Sequence, residues 1–152
     1  MKTFNETQKF RQWWLWIIIF IMPLVIITLT YFEENRFNNE ILLPVILFIP
    51  FIWFFYVLKL KTAIDDKGIS LSFRPFLLKH KFIKYEDILD AKMIMYKPII
   101  ECGGWGLRWY KNGTAYTVSG KQGIEIILKN NTIILIGTQK PEEFIKFFKN
   151  FI

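Results

Sequence analysis

Few side chains in this sequence can do chemistry, and their spacing does not favour catalysis. It has one cysteine, Cys102, and one histidine, His80. A cysteine nucleophile needs a base beside it and a positive local field to lower its thiol pKa. Nothing in the sequence places His80 next to Cys102, and no helix start is evident just before the cysteine. Gly103, Gly104 and Gly106 resemble a phosphate-cradling loop only in their glycines, because no Lys-Ser pair and no following helix complete the motif. A tight turn or bulge that lets Trp105 pack is the simpler use for them. A lone His and a lone Cys leave no cluster with metal-ligand spacing, and the single Cys has no partner for an internal disulfide. The expectation is a protein without catalytic residues, metal or cofactor, and not an enzyme.

The remaining candidates are cationic. Lys79, Lys81 and Lys84 surround His80, with Lys59 and Lys61 upstream. Arg108 stands between Trp105 and Trp109, where stacking on a ring and reaching a ligand are both open to it. From Lys59 onward the chain has sixteen Lys or Arg and nine Asp or Glu. A basic surface of this kind attracts anionic lipid head groups or an acidic partner. Lys59, Lys61, Lys79, Lys81, Lys84 and Arg108 are therefore the candidate lipid or partner contacts. A solvated strand face and a topological charge bias account for the same lysines. Nucleic acid is not expected as a partner, because topology already explains the charge.

The elements that must position these residues follow from hydropathy. The chain has 152 residues, 53% hydrophobic and 22% charged, and its mean hydropathy is positive. The apolar residues are unevenly spread: no charge occurs from Trp13 to Phe32, or from Ile41 to Leu58. A bilayer core about 30 Å thick needs about 20 apolar helical residues. Two spans are predicted, 13–32 and 41–60, forming a transmembrane helical hairpin over 13–61 behind a cytoplasmic tail, 1–12. Pro44 suits a first helical turn, and Pro23 and Pro50 are interior kinks. Lys2, Lys9 and Arg11 precede the first run, and Lys59 and Lys61 follow the second, whereas Glu33, Glu34 and Glu40 flank the connection. The positive-inside rule then places both termini in the cytoplasm, with an acidic turn outside. The expected location is the cell (cytoplasmic) membrane, multi-pass.

Beyond Lys61 the pattern changes to alternation. Ile69, Leu71 and Phe73 alternate with Ser70, Ser72 and Arg74 after the turn signal Asp65-Asp66-Lys67-Gly68. Further strands are predicted over 82–85, 91–96, 107–110, 115–118, 124–128 and 132–136. Asn112-Gly113 and Asn130-Asn131 are read as hairpin turns in an antiparallel meander. Pro141, Glu142 and Glu143 suit the start of a C-terminal helix, whose Phe144, Phe148 and Phe151 fall at helical spacing.

About seven antiparallel strands closed by a C-terminal helix, over 62–152, outline a pleckstrin-homology-like barrel. The run Trp105-Gly106-Leu107-Arg108-Trp109 carries a closer likeness, with Tyr116 to Gly120, Gly123 to Ile126, and Ile136-Gly137-Thr138-Gln139-Lys140-Pro141 onward. Together these resemble the bacterial pleckstrin-homology domain family, often attached to transmembrane hairpins. The resemblance covers the last fifty residues best, and Trp105, Gly106, Asn112, Gly113, Gly137, Thr138 and Pro141 mark structural turns. It implies a non-catalytic module. The function expected is a membrane-anchored interaction module docking a protein partner, or another copy of itself, at the inner membrane surface. Binding of anionic lipid head groups by the basic face is the alternative, and an enzyme using Cys102 and His80 is a distant third.

Overall fold

The computed structural model describes residues 3–10, 12–34, 42–76, 80–149 and 151. The chain divides into two compact units, Met1–Phe10 with Leu58–Ile152, and Arg11–Val57. The first is a β unit and the second is helical.

The β unit holds two open sheets. In the first, β1 (Phe4–Lys9), β2 (Lys59–Ile64), β3 (Gly68–Arg74) and β4 (Lys81–Lys84) lie in sequence order, each antiparallel to the next. The second contains β5 (Ile88–Met95), β6 (Gly106–Tyr110), β7 (Gly113–Thr117), β8 (Gln122–Leu128) and β9 (Ile133–Gly137), in the order β5-β8-β9-β7-β6. Alternation selects the buried face of each strand. Leu60, Ile64, Ile69, Leu71 and Phe73 are fully buried in the first sheet, and Ile124, Ile126, Ile134 and Ile136 in the second. The C-terminal helix (Pro141–Phe148) begins on Pro141, carries Glu142 and Glu143 in its first turn, and buries Phe144 and Phe148. It contacts β1 and β2 of one sheet and β5 and β8 of the other, with the Phe144 ring 5.5 Å from that of Phe4.

Two sequence-based expectations are corrected here. The strands do not close into a barrel, and they are not a single antiparallel meander, because β7 and β9 run parallel. Gly113 permits the close approach of β7 and β9. The β6–β7 hairpin turns on Lys111 and Asn112, with Lys111 at φ 47°, so Gly113 already sits in β7 opposite Ile133. A Cβ at Gly113 would lie 1.7 Å from the Ile133 carbonyl oxygen. The glycine serves this close strand approach, one residue beyond the turn assigned to it. Asn131, at φ 61°, does turn the β8–β9 connection.

The second correction concerns the membrane. The helical unit contains α1 (Trp13–Glu34) and α2 (Leu42–Val57), with Pro23 and Pro50 inside them. Among the described residues, no helix is long and apolar enough to cross a membrane. α2 has 16 residues, which span only about 24 Å. The chain enters β2 at Lys59, so 59 and 60 are strand and not the end of a span. α1 closes on Glu33 and Glu34. The predicted spans 13–32 and 41–60, the integral two-span partnership with a membrane and the multi-pass location in the cell membrane with cytoplasmic termini are therefore not supported. The connection read as an acidic outer turn falls mostly on 35–41, outside the described residues. Among the described residues the architecture is mixed: two open sheets with four α-helices, the remaining one being α3 (Pro98–Cys102), which makes the C-terminal helix α4.

Candidate functional site

The two sheets end differently. The first ends at β4, while the second extends through β7 to the edge strand β6. Register puts Leu107 opposite Tyr116 and Trp109 opposite Thr114 on one side of the β6–β7 hairpin. Tyr116 lies deep enough to be buried, but Trp109, at the rim, is 87% exposed. Between them opens a cleft of about 320 Å³ lined by Leu107, Arg108, Trp109, Thr114 and Tyr116. Lys81 reaches it from the first sheet: its Nζ donates to Tyr116 Oη at 3.2 Å and stands 5.4 Å from the ring centroid. The site thus combines an exposed indole, an apolar floor, an ammonium group and an edge strand.

A polar anchor on the reverse side of the second sheet fixes the hairpin. Glu125 on β8 is 1% exposed, yet it is fully engaged. Its Oε2 accepts a hydrogen bond from Tyr110 Oη at 2.9 Å and another from Lys111 Nζ, while Lys92 Nζ lies 3.1 Å from Oε1. Burial alone would raise the Glu125 carboxyl. Hydrogen bonds from Lys111, Tyr110 and Lys92 offset that effect and hold it below the ordinary carboxylate value. Beside this anchor Tyr96, Cys102, Tyr110, Ala115 and Leu135 form a small core. Burial pushes the Tyr96 hydroxyl up to about 12.

The candidate nucleophile belongs to that core. Cys102 is buried at the C-terminal end of α3, and burial, with Glu101 nearby, raises its thiol. That is the opposite of what a reactive thiol needs. His80 lies exposed just before β4, on the other sheet, so the two groups are not brought together.

The cationic candidates scatter. Lys81 and Lys84 bracket β4, Lys81 at the cleft and Lys84 exposed. Lys59 and Lys61 lie in β2, away from the cleft lining. Arg108 lines the cleft and sends its Nε to the Trp105 carbonyl oxygen at 3.4 Å, and Lys79 lies outside the described residues. The turn residues have structural partners. Trp105 Nε1 donates to the Gly120 carbonyl at 3.0 Å, and Gly106 takes φ 122°. Asn112 Nδ2 donates to the Asn131 carbonyl at 3.1 Å.

Gly137 and Thr138 hold the strand that sequence reading missed. Residues 4–9, read as part of a tail, form β1. Gln8 Nε2 donates to the Gly137 carbonyl at 2.7 Å, Thr138 Oγ1 donates to Glu6, and Glu6 Oε1 accepts from the Gln139 amide at 2.9 Å. Pro141, buried, then starts α4. Trp109 and Tyr116 also went unassigned as site residues. The only available signal was an aromatic on a short edge strand.

Comparison of the chain with protein-family models, curated proteins and solved structures returns no match.

Proposed function

We propose that the β unit is a non-catalytic interaction module that docks a protein partner at the cleft beside β6. One observation carries the reading: Trp109 is a large aromatic left 87% exposed on an edge strand, directly above an open cleft. Exposed indoles over a concave floor are the typical anchors of protein contacts. An edge strand offers unpaired main-chain groups to an added strand. Leu107 and Trp109 would receive alternate apolar side chains of an extended segment, and Lys81 would meet an acidic one. The family resemblance of residues 105–144 points the same way, toward binding and not catalysis.

The test is selection of extended peptides from a displayed library on the full chain, followed by calorimetry on variants. Trp109→Ala is expected to weaken a selected peptide by at least about tenfold, with Lys81→Gln weakening acidic peptides specifically. Equal affinity for wild type and Trp109→Ala would overturn the reading.

A further inference from the structure

The outer face of the first sheet gathers positive charge in a way its fold does not require. Register places Lys9 directly opposite Lys59, and Lys59 directly opposite Arg74. Three cations thus form one row across three adjacent strands. Directly opposed like charges destabilise a sheet. The next row in register is Thr7, Lys61 and Ser72, of which Thr7 and Lys61 are exposed and Ser72 is buried. With neighbouring strands about 5 Å apart, four cations crowd into a patch about 10 Å wide. Lys9, Lys61 and Arg74 are exposed and Lys59 is half-buried.

No carboxylate occupies an outward position of β1, β2 or β3. The outward positions of β1, β2 and β3 are Asn5, Thr7, Lys9, Lys59, Lys61, Ala63, Ser70, Ser72 and Arg74. The acidic residue of β1, Glu6, points to the other side and is spent on Thr138 and Gln139. Elsewhere in the β unit the described ion pairs give lysines an acid: Lys92 and Lys111 share Glu125, and Lys140 has Glu143.

We propose that this face is a phosphate-binding surface, with Lys9, Lys59, Lys61 and Arg74 supplying charge and Thr7 a hydroxyl. The ammonium groups act as point charges, and the Arg74 guanidinium can hold two phosphate oxygens at once. The cations are spread over three adjacent strands, so they suit an array of phosphates or a polyphosphate better than one enclosed ion. Lipid head groups and free polyphosphates both present that chemistry. The surface is separate from the cleft at Trp109 and does not depend on it.

The test uses the full chain and two triple variants of equal charge loss: Lys9→Gln/Lys59→Gln/Arg74→Gln on the face, and Lys97→Gln/Lys121→Gln/Lys129→Gln away from it. The soluble probe is inositol hexakisphosphate, measured by calorimetry. The lipid probe is phosphatidylglycerol mixed into phosphatidylcholine vesicles, scored by co-sedimentation against phosphatidylcholine alone. The face triple is expected to bind roughly 100-fold more weakly than wild type, and the control triple within about threefold of it. An effect confined to vesicles assigns lipid head groups, and one confined to the soluble probe assigns a free polyphosphate. Equal losses in both triples, or no binding of either probe by wild type, would overturn the proposal. Because the row is self-repelling, the face triple is expected to unfold at an unchanged or higher urea midpoint. A lower midpoint would show the row to be structural and would also overturn it.

Discussion

The two units of this chain use apolar residues in opposite ways. In the β unit they alternate with polar ones, and most Ile and Leu of each inner face, such as Leu60, Ile69, Ile124 and Ile134, are fully buried. In the helical unit α1 and α2 are apolar on nearly every side, and side chains such as Phe20 and Leu24 remain 60% and 61% exposed. A strand that alternates carries its own instruction about which face to hide. A helix apolar all round carries none. Apolar side chains therefore make a buried core in one unit and remain exposed in the other.

Four substitutions or titrations sharpen that contrast. The largest effect is expected from Phe73→Ala, which empties a fully buried site where the ring stacks on Phe76 at 5.5 Å. It should cost about 3–5 kcal/mol, read from urea unfolding by circular dichroism. A loss below about 1 kcal/mol would mean the inner faces are not the core. Next comes Glu125→Ala, expected to cost about 2 kcal/mol, since Lys92 and Lys111 are half exposed and can turn to water when the carboxylate goes. Glu125 also sets an acid limb. Its folded pKa lies below the unfolded one, so its contribution is present above the unfolded value of about 4.3 and is lost as pH falls through the folded value. The variant should flatten the acid side of the stability profile.

A smaller effect lies at the alkaline end. Burial raises Tyr96 to about 12, and burial with Asp65 and Asp66 raises Tyr85 likewise. Both phenols favour the neutral form when folded, so their stabilisation is intact below about pH 10 and fades as pH rises through the folded values. Ultraviolet titration should show delayed phenolate formation, to which Tyr110, also raised by burial, contributes with Tyr85 and Tyr96, and a single transition near pH 10 would contradict this. The smallest effect belongs to the helical unit: Phe20→Ala should leave β-unit unfolding within about 0.5 kcal/mol of wild type. A loss comparable to that of Phe73→Ala would erase the distinction between the units.

Sequence was informative where burial has a period. The strands around Ile69–Phe73, Ile124–Leu128 and Ile133–Ile136 and the helix from Pro141 could be read because one face of each must be apolar. β1 could not, since its inward residues include Glu6 and Gln8, whose partners lie some 130 residues away at Gly137 to Gln139. β2 was hidden for another reason: Lys59 and Leu60 directly follow the apolar run that ends at Leu58 and were read as the end of a span, and nothing local marks the change from helix to strand. Gly113 carried a local turn signal that a nonlocal contact with Ile133 takes over. Of the candidate cleft, Lys81 and Arg108 were legible as charges, but Trp109 and Tyr116 became candidate residues only through strand order. The row Lys9–Lys59–Arg74 was illegible for the same reason, since it needs a register between strands far apart in sequence.

The most direct test of the interaction reading is hydrogen–deuterium exchange on the full chain, with and without a selected extended peptide. The cleft account predicts slowed exchange in β6, over Gly106–Tyr110, with β1 unchanged. Protection confined to β1, or absent from β6 while the peptide is bound, would contradict it.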